Sequence, residues 1–118
     1  MKIHVFDNTT DYKIVPAGTV IFKAGDAGDS MYAVLGGEVD ILVNGKVIET
    51  VGSHGIFGEM ALVEDQPRSA DAVVKTEAKL VKVDRNRFLF MVQQTPYFAL
   101  HLIAIVTERL RRLMAEKL

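Results

Sequence analysis

The chain has 118 residues, which suits one domain with its own core and is too short for two. Hydrophobic residues make up 49% of it and charged residues 25%, and 14 basic against 15 acidic residues leave a formal charge of −1. This balance excludes a global field that would attract nucleic acid or a membrane surface. Because there is no cysteine, disulfides, thiol catalysis and thiolate-bound metals are excluded, and a cytoplasmic location is compatible with the composition. We therefore treat residues 1–118 as a single domain.

The chain up to about residue 84 has the pattern of short β-strands separated by turns. Val- and Ile-rich runs alternate with turn residues, and Asn44-Gly45 supplies the left-handed pair that a two-residue hairpin requires. Gly36-Gly37 predicts a further turn. The candidate strands are Tyr12–Val15, Thr19–Lys23, Met31–Leu35, Glu38–Val43, Lys46–Val51, Ser69–Val74 and Lys79–Asp84. Together they predict a mainly β domain, an antiparallel jelly-roll β-barrel over about residues 12–84.

The spacing of apolar residues becomes typical of helices from about residue 85 to residue 117. Asp84 is predicted to cap a short helix that includes Met91. Thr95 and Pro96 predict the start of a long helix that ends near Glu116, with the Thr95 hydroxyl as its cap.

The long helix carries two apolar stripes, which predict two packing surfaces. One stripe comprises Phe98, Leu102 and Ile105, and the other comprises Ile103, Val106, Leu110 and Leu113. One stripe is expected to dock on the barrel and the other to pack on a second copy of the helix, giving a homodimer. Docking without a dimer is the alternative.

A helical fragment interrupts the strand pattern in "GIFGEMALVEDQPRSA", residues 55–70. Residues 59–63 favour little more than one helical turn, and Pro67 ends it. The first amides of so short a helix have no intrahelical partner, so they can bind an anion, which Gly58 allows to approach the backbone closely.

Polar groups beside this helix start suit a ligand that carries a phosphate and a sugar. Arg68 offers a fork of donors to anionic oxygens, Ser69 adds a hydroxyl, and Ala70 leaves room. Glu59 could accept a hydrogen bond from a sugar hydroxyl. The alternative is that Glu59 pairs with Arg68 and closes the turn without any ligand, and the residues by themselves leave both interpretations open.

Four segments resemble the cyclic nucleotide-binding domains of cyclic-AMP-dependent kinases, cyclic-nucleotide-gated channels and catabolite-activator-type bacterial regulators. "FGEMAL" at 57–62 and "PRSA" at 67–70 are similar to the phosphate-binding cassette of that family. "AGTVIFKAGDAGDSMYAVLGGEVDI" at 17–41 resembles its opening strands, and "VDRNRFLFMV" at 83–92 resembles its hinge helix. The resemblance covers residues 12–112 and implies a non-catalytic module that binds cyclic AMP, cyclic GMP or both.

The resemblance also implies roles for individual residues. The amides of Gly58, Glu59 and Ala70 would hold the cyclic phosphate, Arg68 would pair with its charge, and Glu59 would accept the ribose 2′-hydroxyl. Ser69 would reach the phosphate or the base, and the last helix would cover the base and be repositioned by the ligand. The implied ligand-binding residues are Gly58, Glu59, Met60, Ala61, Arg68, Ser69, Ala70 and Val73, with Val73 as apolar surface for the base.

The sequence departs from larger family members at three places. Only about ten residues precede the first strand, and no DNA-binding, kinase or channel domain is expected after the last helix. Asp71 follows the cassette where Thr or an apolar residue is common. It would repel the phosphate if it pointed inward, and we expect it to point outward because Ala70 and Ala72 occupy the inward positions.

The residues also bear on three other functions. A metal-dependent enzyme is disfavoured because His4, His54 and His101 are far apart in sequence, so neither catalytic residues nor a metal are expected. Direct DNA binding is disfavoured because Arg109, Arg111 and Arg112 are interpreted as a solvated face, with Glu108 pairing with Arg112. A ligand-free β-barrel interaction or dimerisation module remains the main alternative. An unidentified protein effector is also expected.

Overall fold

The computed structural model describes residues 5–116. Within them one antiparallel sheet of six strands has the order β1-β6-β3-β4, with β2 added to β6 and β5 added to β3. The elements are β1 (Lys13–Val15), β2 (Val20–Phe22), β3 (Ser30–Val43), β4 (Lys46–Val51), β5 (Ile56–Phe57), α1 (Met60–Glu64), β6 (Asp71–Asp84), α2 (Arg85–Gln94) and α3 (Pro96–Ala115). The predicted jelly-roll class with a short inserted helix and C-terminal helices is confirmed. The sheet pairing described here leaves an open sheet rather than a closed barrel.

The two long strands β3 and β6 form the centre of the sheet. Their register runs from Ser30 opposite Asp84 to Leu42 opposite Asp71 and shifts on both sides of Gly36. The turn predicted at Gly36-Gly37 is therefore wrong, because these residues form an irregularity within a continuous strand. Gly37 has φ +79, and a Cβ atom there would lie 2.2 Å from the Glu77 carbonyl oxygen, so only glycine allows the strands to stay paired at this bend.

The two C-terminal helices meet at an angle of 113°. The predicted Asp84 cap is present, since its Oδ1 accepts from the Arg87 amide at 2.8 Å. The helix α3 begins at Pro96 as predicted. The predicted hydroxyl cap is absent, because the Thr95 side chain makes no cap hydrogen bond. Thr95 also ends α2, where its amide donates to the Met91 carbonyl at 2.8 Å, and this holds it at φ −131, ψ 81. No single helix within residues 5–116 is long and apolar enough to cross a bilayer; α2 and α3 meet that length and composition only together.

The core has two parts, one inside the curved sheet and one between the sheet and the helices. The second contains the predicted docking stripe of α3, whose three apolar side chains are all buried. Phe6 also lies there, with its ring edge-on to Phe98 at a centroid distance of 6.4 Å, a core position that the sequence pattern did not reveal. On the other side of α3, Ile103 and Leu110 are exposed.

Candidate functional site

A cavity of about 330 Å³ lies between α1, the sheet and the C-terminal part of α3. Its volume lies at the lower end of the ~300–1,000 Å³ range typical of small-molecule sites. The lining residues are Phe22, Ile41, Val43, Ile48, Glu49, Phe57, Gly58, Glu59, Met60, Ala61, Glu64, Gln66, Pro67, Arg68, Ser69, Ala70, Arg109 and Leu113. Every residue that the sequence predicted as ligand-binding is therefore at this cavity, except Val73.

Val73 lies on β6 outside the lining of the cavity. Its neighbours Ala72 and Val74 are 0% and 1% exposed and belong to the core inside the sheet. Because side chains alternate along a strand, Val73 points to the other face. The apolar surface of the cavity comes instead from the aromatic rings of Phe22 and Phe57 and from aliphatic residues of β3 and β4.

Arg68 is buried at the floor of the cavity, with 6% of its surface exposed. Its Nη1 donates to the Gly58 carbonyl at 2.8 Å, its Nη2 donates to the Ser30 carbonyl at 2.7 Å, and the guanidinium lies 4.0 Å from the centre of the Phe22 ring. Its Nε is buried without a hydrogen-bond partner among the described residues. Burial lowers the pKa of Arg68 from its ordinary value. The structure thus holds a desolvated cation on two neutral carbonyls, with donors to spare.

Gly58 makes this placement of Arg68 possible. It has φ +81, a conformation that L side chains rarely adopt. A Cβ atom at this position would lie 2.8 Å from Nη1 of Arg68 and 3.3 Å from the Phe22 ring. The glycine therefore provides both the backbone turn into α1 and the space in which the guanidinium lies.

Glu59 does not pair with Arg68, so the predicted alternative of a closed Glu59–Arg68 turn is wrong. The residue is 3% exposed, and its Oε1 accepts from Nη1 of Arg109 at 2.6 Å. Arg109 belongs to α3 and also donates from Nη2 to the Ile56 carbonyl at 2.7 Å. Glu59 is thus tied to the C-terminal helix and forms no ion pair with Arg68.

Asp71 points away from the cavity. Its Oδ1 accepts from the Ala24 amide at 2.8 Å, while Ala70 lines the cavity and Ala72 is buried in the core. The carboxylate therefore anchors the loop after β2 and does not face the predicted phosphate site.

The prediction that Arg109, Arg111 and Arg112 form a solvated face is wrong for Arg109, and Arg112 is held by an ion pair. Arg109 has only 19% of its side chain exposed, and Arg112 donates to Glu49 of β4 at 2.5 Å. A signal for Arg109 existed in the sequence, because it follows Phe98, Leu102 and Ile105 at the next position of the docked stripe. Its partner Glu49 carried no such signal, since an acid on a half-exposed strand is ordinary.

Sequence and structure comparisons agree on the family. A family model described as the cyclic nucleotide-binding domain matches residues 12–95. The chain belongs to this family. The resemblance inferred from the cassette segments is thereby confirmed, while the roles of individual cassette residues stay predictions.

Three solved structures illustrate the family likeness. The Thermus thermophilus catabolite activator protein is 31% identical with a TM-score of 0.78, and the match covers 89% of this chain and 52% of that one. The regulatory domain of Toxoplasma gondii PKA, crystallised with cAMP, is 32% identical with a TM-score of 0.61 over 65% of this chain and 31% of that one. The EAL enzyme Bd1971 in its cAMP-bound form is 29% identical with a TM-score of 0.64, and the match covers 88% of this chain and 29% of that one. The chain thus spans about half, or less, of the length of these proteins.

Proposed function

We propose that this domain binds a cyclic nucleotide in the cavity beside α1 and acts as a non-catalytic sensor. The observation that carries the proposal is Arg68, a buried guanidinium that lines the cavity and is held by two carbonyls with its Nε unpartnered among the described residues. A buried charge without a direct ion-pair partner is costly, and an anionic ligand would supply one. A cyclic phosphate fits this requirement because its oxygens accept several charge-assisted hydrogen bonds.

The proposed contacts follow from the positions around Arg68. The amides of Gly58, Glu59 and Ala70 and the guanidinium of Arg68 would surround the phosphate, with Ser69 beside it. Glu59 would accept the ribose 2′-hydroxyl on the carboxylate oxygen that Arg109 leaves open. Met60 and Ala61 would line the same end of the cavity. The base would lie on the apolar surface that includes Phe22 and Ile41.

Cyclic AMP is our first candidate, and cyclic GMP is the second. Support for cyclic AMP comes from two of the relatives, which hold cAMP in their structures. The cavity itself offers mostly apolar surface to a base.

The proposed output is a change in the position of α3. A ligand can shift an equilibrium only if it binds two conformations with different affinity, and Glu59 gives the ligand a direct link to α3 through Arg109. The bend between α2 and α3 is where the movement would occur. NMR spectra of residues 96–116 with and without cyclic AMP test this step, and identical spectra would refute it.

We also propose that the chain forms a homodimer through α3. One face of it presents apolar side chains to solvent, and Ile103, Leu110 and Met114 are 60%, 55% and 58% exposed. A stripe of this kind on a helix of 20 residues suits a parallel or antiparallel pairing with a second copy. Of the stripe predicted for this role, Leu113 instead lines the cavity.

Calorimetric titration with cyclic AMP and cyclic GMP is the decisive test. We expect heat and saturable binding with at least one of them and no conversion of a radiolabelled ligand after long incubation. No heat and no thermal shift at millimolar ligand would instead favour a ligand-free interaction module, and turnover would refute the non-catalytic role.

A further inference from the structure

Glu49 connects the cavity to the C-terminal helix by two ion pairs. It lies on β4, and its side chain is 14% exposed. Its Oε1 accepts from Nη2 of Arg112 at 2.5 Å, and its Oε2 lies 2.5 Å from Nε of Arg109, as an ion-pair contact rather than an aligned hydrogen bond. One carboxylate thus holds two arginines that are three residues apart, on the same side of α3.

Arg109 in turn lies between two carboxylates and a backbone carbonyl. Its three nitrogens contact Glu49, Glu59 and the carbonyl of Ile56. With Glu49 on one side, the guanidinium cannot rotate away from Glu59 without breaking a second contact. The orientation of Glu59 therefore depends on Glu49 of β4, whose described link to Glu59 runs through Arg109.

We propose that Glu49 is a positioning residue that couples ligand binding at Glu59 to the attachment of α3. This inference rests on the proposed function. Glu49 holds Arg109 in the position in which it neutralises Glu59 and leaves its second oxygen for a ligand hydroxyl. Ligand binding and attachment of α3 then favour each other, and by linkage each strengthens the other by the same factor.

Simple electrostatics predicts the opposite effect for a change at Glu49. Removing a negative charge from the wall of the cavity should strengthen the binding of an anion. If Glu49 acts by positioning Arg109, its removal should weaken binding instead, because Arg109 is released from one side and Glu59 loses its fixed partner. The direction of the change in affinity therefore distinguishes a positioning role of Glu49 from a simple charge effect.

Glu64 offers a matched control for this experiment. It lines the same cavity and is exposed, and no ion pair joins it to α3 among the described residues. Glu49→Gln and Glu64→Gln each remove one negative charge and keep the shape of the side chain. We expect Glu49→Gln to weaken cyclic AMP binding about 5-fold, at the lower end of typical couplings, and Glu64→Gln to leave it unchanged or slightly stronger. Equal or stronger binding by Glu49→Gln would overturn the proposal.

A double-mutant cycle separates positioning from loss of stability. In an Arg109→Gln background, Glu49→Gln should cause no further loss of affinity, because the residue through which it acts is already gone. Independent losses that add in the double variant would show that Glu49 acts by another route and would overturn the proposal. Melting temperatures measured on the same four proteins show whether any loss of affinity follows a loss of fold.

Hydrogen exchange of α3 tests the attachment without any ligand. Amides of residues 105–115 should exchange about 5-fold faster in Glu49→Gln than in the parent chain, with Glu64→Gln unchanged. Unchanged exchange in Glu49→Gln would refute the role of Glu49 even if cyclic AMP binds. If the parent chain binds no cyclic nucleotide while exchange rises as expected, the proposed function fails and the attachment by Glu49 remains.

Discussion

Replacing Arg68 with alanine tests the site at the residue on which it depends most. Five N–H groups belong to the guanidinium, and two of them are used on the carbonyls of Gly58 and Ser30. The remaining donors are available to a phosphate, and each hydrogen bond to a charged group contributes about 1.5–3 kcal/mol. Loss of one such bond weakens binding by about 10- to 100-fold, and loss of two weakens it further.

The same substitution should leave the fold intact. The carbonyls of Ser30 and Gly58 lose a donor, which costs about 1–3 kcal/mol each if they stay dry. This cost is offset in part because a desolvated cation is removed and because water can enter the cavity. We expect the free energy of unfolding to fall by about 1–2 kcal/mol and the melting temperature by about 4–8 °C. A typical domain has a free energy of unfolding of ~5–15 kcal/mol, so the variant should remain folded.

Arg85→Ala is the matched control for Arg68→Ala. Arg85 also donates to a backbone carbonyl, that of Leu62 at 3.1 Å, and it pairs with Asp65 at the far end of α1. It does not line the cavity. Calorimetry should give affinities for cyclic AMP within about 3-fold of the parent for Arg85→Ala and at least about 10-fold weaker for Arg68→Ala. Equal losses in both variants, or full binding by a folded Arg68→Ala, would refute the assignment.

Three further substitutions have expected outcomes. Gly58→Ala should weaken cyclic AMP binding at least about 10-fold and lower the melting temperature, because the added Cβ would strain the backbone and press on Arg68. Titration and melting curves check this prediction. Binding as tight as that of the parent chain would contradict it. Glu59→Gln should weaken binding of cyclic AMP about 10-fold but reduce binding of its 2′-deoxy analogue much less, as measured by competition. Leu110→Glu should shift sedimentation from dimer to monomer, with the neighbouring exposed Arg111→Glu as control; a monomeric parent chain would argue against the dimer.

The cassette could be predicted from sequence because its chemistry is local. Gly58, Glu59 and Arg68 lie within eleven residues, and glycine is the residue type that permits the backbone conformation found at position 58. The strand boundaries were less accurate for a related reason. At Gly36-Gly37 the same glycine preference is satisfied by a bend within β3, and only the long pairing with β6 distinguishes a bend from a turn.

The ion pairs of α3 could not be predicted in the same way. Arg109 and Glu59 are 50 residues apart, and Arg112 and Glu49 are 63 apart. Their contact depends on the angle at which α3 returns to the sheet, which no local pattern encodes. Position 109 on the docked stripe indicated that an arginine would face the sheet, but not which carboxylates it would meet.

The two halves of α3 are attached to the sheet by different kinds of interaction, and this difference bears on which half would respond to the proposed ligand. Up to Ile105 the docked stripe is apolar and buried, an attachment that salt does not screen. From Arg109 onward the described contacts with the sheet are mainly ion pairs, which salt weakens where they are exposed. Of these pairs the one to Arg112 is the more exposed and the more easily screened, because the pairs of Arg109 are largely shielded from solvent. Under the proposed function, a ligand at Glu59 would act on the C-terminal half through Arg109.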